Sequence, residues 1–179
     1  YQEMKYSLIT LLFFCFNGLL HAQTANVTVN LTFPSVALLD VEPNTENISF
    51  TLSAPTDAGQ AIQTVASNSS KWLNFSSAVG IGVTRRITAQ YTGTLPAGVG
   101  ITLSTANYVG SGAGTLGTAV PIITLSTAAQ TIVNSIGGAF TGNGGSTGYN
   151  LTFAPILLDY ASLRSQSATI TVIYTLIDN

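Results

Sequence analysis

Charged side chains are scarce in this sequence of 179 residues. Lys and Arg together number 5, Asp and Glu together number 7, and the formal net charge is −2. A protein that binds nucleic acid needs a clustered excess of Lys and Arg to meet the phosphates. Nucleic acid is therefore not expected as a partner. With Ser, Thr, Asn and Gly in place of charge, the surface suits packing against copies of the same chain.

Cysteine, histidine and methionine each occur once, as Cys15, His21 and Met4. The chain after residue 22 therefore has no cysteines for a disulfide and no histidine for a Ser–His or Cys–His dyad. We expect no enzyme and no cofactor. Acid–base chemistry by two carboxylates, such as Asp57 and Asp159, is the alternative left open, although nothing in the sequence brings these two together.

Residues 1–22 have the composition of a secretory signal peptide. Lys5 supplies the N-terminal positive charge, and residues 8–16 form an apolar run that is too short to span a bilayer. We expect cleavage after Ala22 and bacterial Sec-dependent export, to the cell surface or the medium, with no stable membrane span afterwards. Residues 23–179 then form a single domain that must be stable without disulfides.

Short runs rich in apolar, β-branched and aromatic residues recur along residues 23–179, separated by Gly, Pro and Asn. Predicted strands of this kind include residues 61–66, 130–136 and 149–158. Apolar and polar residues alternate with the period of a strand, for example in residues 25–33 and 47–53. This spacing predicts an all-β fold, a single Ig-like β-sandwich of about nine or ten strands. No segment has the pattern of an amphipathic helix.

Two further strand segments carry specific expectations. Residues 167–179 contain no Gly or Pro and no charge before Asp178, and their second half is apolar on both faces, which predicts a central strand. In the predicted strand 84–91, Arg85 and Arg86 are adjacent and must point to opposite faces. The inward arginine would need a partner. A position at the edge of a sheet is the simpler explanation for the pair.

An acidic segment offers a weak metal candidate. Asp40, Glu42, Asn44 and Glu46 place oxygen ligands at alternate positions, as calcium-binding loops do. The glycine that permits the sharp turn of such loops is missing, and Pro43 stiffens the segment. We therefore expect a solvated acidic turn and no bound metal.

Aromatic residues suggest a possible ligand surface. Trp72, Tyr108 and Tyr149 are the candidates for a platform on which a surface glycan could stack. Aromatic side chains of a sandwich more commonly belong to its core. Both interpretations are open at the level of sequence.

Both ends of the predicted domain resemble one family. Residues 27–43, V-T-V-N-L-T-F-P-S-V-A-L-L-D-V-E-P, are similar to the opening of the alpha-class (CS1/CFA-type) fimbrial subunits. Residues 168–177, A-T-I-T-V-I-Y-T-L-I, are similar to the closing strand of these and other secreted Ig-like bacterial domains. The middle of the chain does not share this likeness.

The resemblance implies donor-strand complementation, in which residues 25–33 of one subunit complete the sheet of the next. Val27, Val29, Leu31 and Phe33 would be the inserted side chains. The implied function is an exported structural or adhesive subunit that polymerises with its own copies into a cell-surface filament, a pilus or fimbria. Two alternatives are open: residues 25–33 pair within their own domain, or the chain is a monomeric secreted module that binds carbohydrate or another surface.

Overall fold

The structure is a computed structural model that describes residues 23–179. The predicted signal peptide, residues 1–22, lies outside the described residues. The chain divides between Phe33 and Pro34, and residues 23–33 and residues 34–179 are described separately below. Among residues 23–179, no helix is long and apolar enough to cross a membrane.

Residues 34–179 form antiparallel β-strands and a single 3-10 turn, Tyr160–Ser162. The strands are β1 (Val36–Glu42), β2 (Asn68–Ala78), β3 (Arg85–Gly93), β4 (Val99–Thr105), β5 (Ala113–Gly114), β6 (Thr118–Ala119), β7 (Ile122–Thr124), β8 (Gln130–Ile136), β9 (Ala139–Phe140), β10 (Tyr149–Leu157) and β11 (Ile170–Asp178). They build two sheets that pack face to face, so the predicted all-β sandwich is confirmed.

The larger sheet has the strand order β5-β9-β2-β10-β4-β7, with β1 also paired to β2, and the smaller sheet has the order β11-β3-β8-β6. Strand β2 is the organising element of the larger sheet. Along one side it pairs with β1, and along the other it pairs first with β10 and then with β9. The change of partner occurs at Phe75, whose N–H donates to the Thr141 hydroxyl at 2.9 Å.

The core lies between the two sheets and is supplied by inward-facing residues of the inner strands. Its buried hydrophobic members are Leu73, Phe75, Ile87, Ala89, Leu103, Leu125, Ile132, Val133, Ile136, Ala139, Tyr149, Leu151 and Phe153. None of them belongs to β1 or β11. The residues that these two strands direct at the core, such as Leu39 and Val172, are only partly buried. The core is thus thinner on the side where β1 and β11 lie.

Two predicted strands, residues 47–53 and 61–66, are not formed. The inward alternation is present, since Ile48 and Phe50 are half-buried and pack against the core. The backbone, however, forms only one isolated bridge, between Ser53 and Gln63. Side-chain alternation can therefore follow from burial alone, whereas a strand also requires a partner backbone.

The prediction that residues 167–179 form a central strand is wrong, because β11 is an edge strand. It pairs with β3 alone, from Ile170 opposite Gly93 to Asp178 opposite Arg85. Its inward face is half-buried, while Ile173 on the outward face is 37% exposed. An apolar composition on both faces is shared by central strands and unprotected edges, so local pattern could not distinguish them.

The explanation of Arg85 and Arg86 as edge residues is also wrong. Strand β3 lies inside the smaller sheet, between β11 and β8. Arg85 points inward and is 6% exposed, and it has the partner that an inward arginine requires, since its Nε donates to Asp178 Oδ1 at 2.7 Å. Arg86 points outward and donates to Asn179 Oδ1 at 2.9 Å.

Candidate functional site

Residues 23–33 have no regular secondary structure, and every side chain among them is exposed. The four alternating apolar residues are the most notable. Val27, Val29, Leu31 and Phe33 are 87%, 82%, 76% and 82% exposed. No ladder among the described residues includes this segment, so the strand predicted at residues 25–33 is not formed in the single chain. Large apolar side chains at such exposure favour burial against another surface.

Strand β11 offers a long backbone edge. Asn179 N–H donates to the Thr84 carbonyl at 2.9 Å and so continues the β11–β3 register. Because the direction of N–H groups alternates along an antiparallel strand, those of Val172, Tyr174 and Leu176 point away from β3. The free edge of β11 therefore carries a regular row of donors and acceptors on the same residues that face the core.

The usual protections of an edge strand are absent from β11. Such strands are commonly short, bulged, or marked by Lys or Pro, because an open edge recruits other strands. β11 has 9 residues, pairs without a register shift, and has no charge before Asp178. By contrast, β7 has 3 residues and β6 has 2, and β1 carries Asp40 and Glu42. Among the sheet edges, β11 is the longest and carries the fewest of these protections.

A buried hydroxyl group also lies on β11. Tyr174 Oη has no hydrogen-bond partner among the described residues. Burial raises the pKa of Tyr174 further above the neutral range, in which a tyrosine hydroxyl is protonated and can donate. An unsatisfied buried hydroxyl costs about 1–3 kcal/mol, and a carbonyl supplied from outside the domain could recover part of this.

The acidic segment does not gather its side chains around one point. Asp40 Oδ1 accepts the N–H of Val41 at 2.8 Å, and Glu42 lies opposite Trp72 in the β1–β2 ladder. The carbonyl groups of Pro43 and Glu46 bind the Lys71 ammonium, the second at 2.6 Å. Within residues 23–179, no group of three or more His, Cys, Asp or Glu side chains could hold a metal. The cation at this loop is therefore the protein's own lysine.

The three aromatic candidates do not form one platform. Tyr149 is 1% exposed, and its ring stacks on Phe75 with centroids 6.1 Å apart. Tyr108 packs against Tyr149 at 5.9 Å and donates to the Thr141 carbonyl at 3.0 Å. Trp72 lies on the opposite face of the sheet, because Tyr149 pairs with Leu73 and neighbouring residues alternate. The buried hydroxyl of Tyr149 is satisfied inside the domain, since it donates to the Leu116 carbonyl at 2.7 Å.

Tyr149 makes stability sensitive to alkaline pH. Burial, followed by the neighbouring Tyr108, raises the pKa of Tyr149 to about 12. An unfolded tyrosine titrates near pH 10, so between about pH 10 and 12 the unfolded state releases a proton that the folded state retains. The free energy of unfolding should therefore fall over this range. In Tyr149→Phe this fall should be shallower, and at neutral pH the variant should be less stable by about 1 kcal/mol.

Urea denaturation at a series of pH values measures both effects. Tyr174 contributes to the same alkaline loss, since burial raises its pKa as well. The single variant should therefore remove part of the slope, and Tyr149→Phe combined with Tyr174→Phe should remove more. Identical slopes in Tyr149→Phe and the unsubstituted chain would contradict the prediction.

A shallow groove of about 210 Å³ crosses β1, β2 and the loop that follows β9. Its polar centre is Asn74, whose amide donates to the Thr147 carbonyl at 2.9 Å and accepts the Gly144 N–H at 2.8 Å. Both functions of this amide are thus used within the protein. Leu38 and Asn143 are among the other lining residues.

Sequence reasoning missed the buried cation Lys71, and for Arg85 it preferred an edge position over burial; the two residues are 7% and 6% exposed. The signal available was the rarity of charge: a lone Lys or Arg inside a strand pattern must either reach solvent or find acceptors inside.

A comparison of the chain with protein-family models, curated proteins and solved structures finds no match.

Proposed function

We propose that this chain is an exported structural or adhesive subunit that assembles with its own copies into a cell-surface filament by β-strand addition. The observation that carries the proposal is the exposure of Val27, Val29, Leu31 and Phe33, each at least 76% exposed and all on one side of an extended alternation. A segment of this kind is suited to lie beside an open sheet edge, with its alternate side chains in the core of another copy.

The edge of β11 supports the same proposal from the accepting side. It has the length of the alternating segment, 9 residues, and no charge that would have to be desolvated before Asp178. The core beneath it is incompletely covered, since Val172, Tyr174 and Leu176 are only partly buried. Each inserted apolar side chain would contribute about 1.5–3 kcal/mol if fully buried.

Assembly of this type produces an open polymer. The inserted segment and the accepting edge are different surfaces of the chain, so the contact is heterologous and does not close on itself. Each added copy presents a new alternating segment and leaves a new edge available. A filament of indefinite length follows, and the predicted signal peptide would direct its subunits to the cell surface.

Negative-stain microscopy of the purified chain over a range of concentrations tests the proposal. We expect filaments or short linear oligomers whose number rises with concentration. A variant that lacks residues 23–33 should be monomeric throughout, with an unchanged β-sheet circular dichroism spectrum. Monomers alone in both preparations, or oligomers equally abundant in both, would exclude assembly through this segment.

A further inference from the structure

The two buried cations of the described domain contact opposite ends of the same strand, β1. Arg85 reaches its beginning, and Lys71 reaches the residues just beyond its end. Strand β1 pairs on one side only, with β2, and it directly follows the exposed residues 23–33. An edge strand in that position would ordinarily be the easiest part of a sandwich to lose to a neighbour.

The contacts of Arg85 tie the beginning of β1 to both sheets. Its guanidinium donates to the Val36 carbonyl, to Ser77 Oγ at 3.3 Å and to Ser35 Oγ at 3.1 Å. Its Nε donates to Asp178 of β11 at 2.7 Å. Ser35 Oγ in turn donates to the Ala78 carbonyl at 3.2 Å. The first residues of β1 are thus bound to β2, β3 and β11 through a single side chain.

The contacts of Lys71 fix the other end. Lys71 lies on the inward face of β2, and its ammonium donates to the carbonyl groups of Pro43 and Glu46. These carbonyls lie one and four positions after Glu42, the last residue of β1. Removal of β1 from its domain would take the Val36 and Ser35 acceptors from Arg85, which would keep Asp178 and Ser77, and would displace the acceptors of Lys71. The loss of acceptors from a buried cation is less favourable than the loss of an exposed ion pair.

We infer that Arg85 and Lys71 form a two-point clamp that keeps β1 in its own domain, so that exchange between copies stops at Pro34. The clamp is a property of the single chain and does not depend on assembly. Its consequence, that residues before Pro34 can be donated whereas β1 cannot, rests on the proposed function. The division of the chain between Phe33 and Pro34 coincides with this boundary.

Amide hydrogen exchange tests the clamp in a chain that is kept monomeric by Val27→Asp and Leu31→Asp. In this background we expect the β1 amides that donate to β2 to be protected to a similar degree as the β2 amides that they face. Arg85→Met and Lys71→Met should each make β1 exchange at least about tenfold faster while β8 and β10 keep their protection. Arg86→Met is the matched control, because Arg86 is outward-facing and, among the described residues, its side chain donates only to Asn179.

Size-exclusion chromatography of the same variants gives a second readout. Arg85→Met should produce dimers that exchange β1, although residues 23–33 carry the charges that prevent their insertion. If Arg85→Met or Lys71→Met does not fold, Ser35→Ala provides the test in their place. It removes one acceptor of Arg85 and should accelerate amide hydrogen exchange in β1 alone. Unchanged β1 protection in Ser35→Ala, or equal effects of Arg85→Met and Arg86→Met, would overturn the clamp. These outcomes can be read whether or not the unsubstituted chain forms filaments.

Discussion

Replacing Val27 and Leu31 with aspartate is expected to abolish assembly while leaving the unfolding midpoint of residues 34–179 unchanged. In the single chain these side chains are 87% and 76% exposed, so the folded domain does not depend on them. In an inserted strand both would enter the core of another copy. A buried, unpaired carboxylate costs several kcal/mol, in addition to about 1.5–3 kcal/mol of lost apolar burial at each position.

The other face of the same segment provides the control. Thr28→Asp with Thr32→Asp introduces the same charge at the same spacing, on the side chains that would remain outside the accepting core. Sedimentation velocity should show monomers for the first pair of substitutions and nearly unchanged oligomers for the second. Loss of assembly in both pairs would indicate general charge repulsion, and assembly in both would exclude insertion of this face.

Val172→Pro is expected to prevent assembly by blocking the free edge of β11. The N–H of Val172 points away from β3, so proline removes a donor that no strand of the domain uses. Proline is tolerated at such edge positions, and the domain should remain folded with a loss of about 1–2 kcal/mol. An added strand, by contrast, would lose a ladder hydrogen bond and meet the ring of the proline.

Val172→Ala is the matched control for this second prediction. It removes apolar side-chain contacts of similar extent but retains the outward N–H group. Filament yield, measured by pelleting and microscopy, should fall to background in Val172→Pro and persist at a reduced level in Val172→Ala. If Val172→Pro assembles as readily as the unsubstituted chain, β11 is not the accepting edge, and β1 becomes the next candidate.

The longer strands of the fold could be predicted from the local pattern of apolar and polar residues. The segment predicted at residues 130–136 coincides with β8, and that at residues 149–158 ends one residue beyond β10. The two-residue strands β5, β6 and β9 were not recognisable, because their pairing is imposed by distant neighbours and not by their own composition. Glycine is required directly before β10, because a Cβ at Gly148, whose φ is +98°, would clash with the Leu73 carbonyl.

The candidate site was predictable only in part. Alternation at Val27 to Phe33 was visible in the sequence, but its exposure depends on the absence of a partner strand. The position of β11 at an edge depends on strand order, which alternation does not encode. The acceptors of Arg85 include Val36 and Asp178, which lie 49 and 93 positions away, so no local motif could identify them.

The pairing of β3 with β11 also governs how the domain forms. Arg85 lies opposite Asp178, 93 positions along the chain, and Gly93 lies opposite Ile170. Contacts of such long sequence separation are slow to close, typically over milliseconds to seconds in all-β domains. Until residues 170–178 arrive, one flank of β3 and the half-built interior are open to solvent and to other chains. The chain is therefore most prone to misassociation until this last strand has paired.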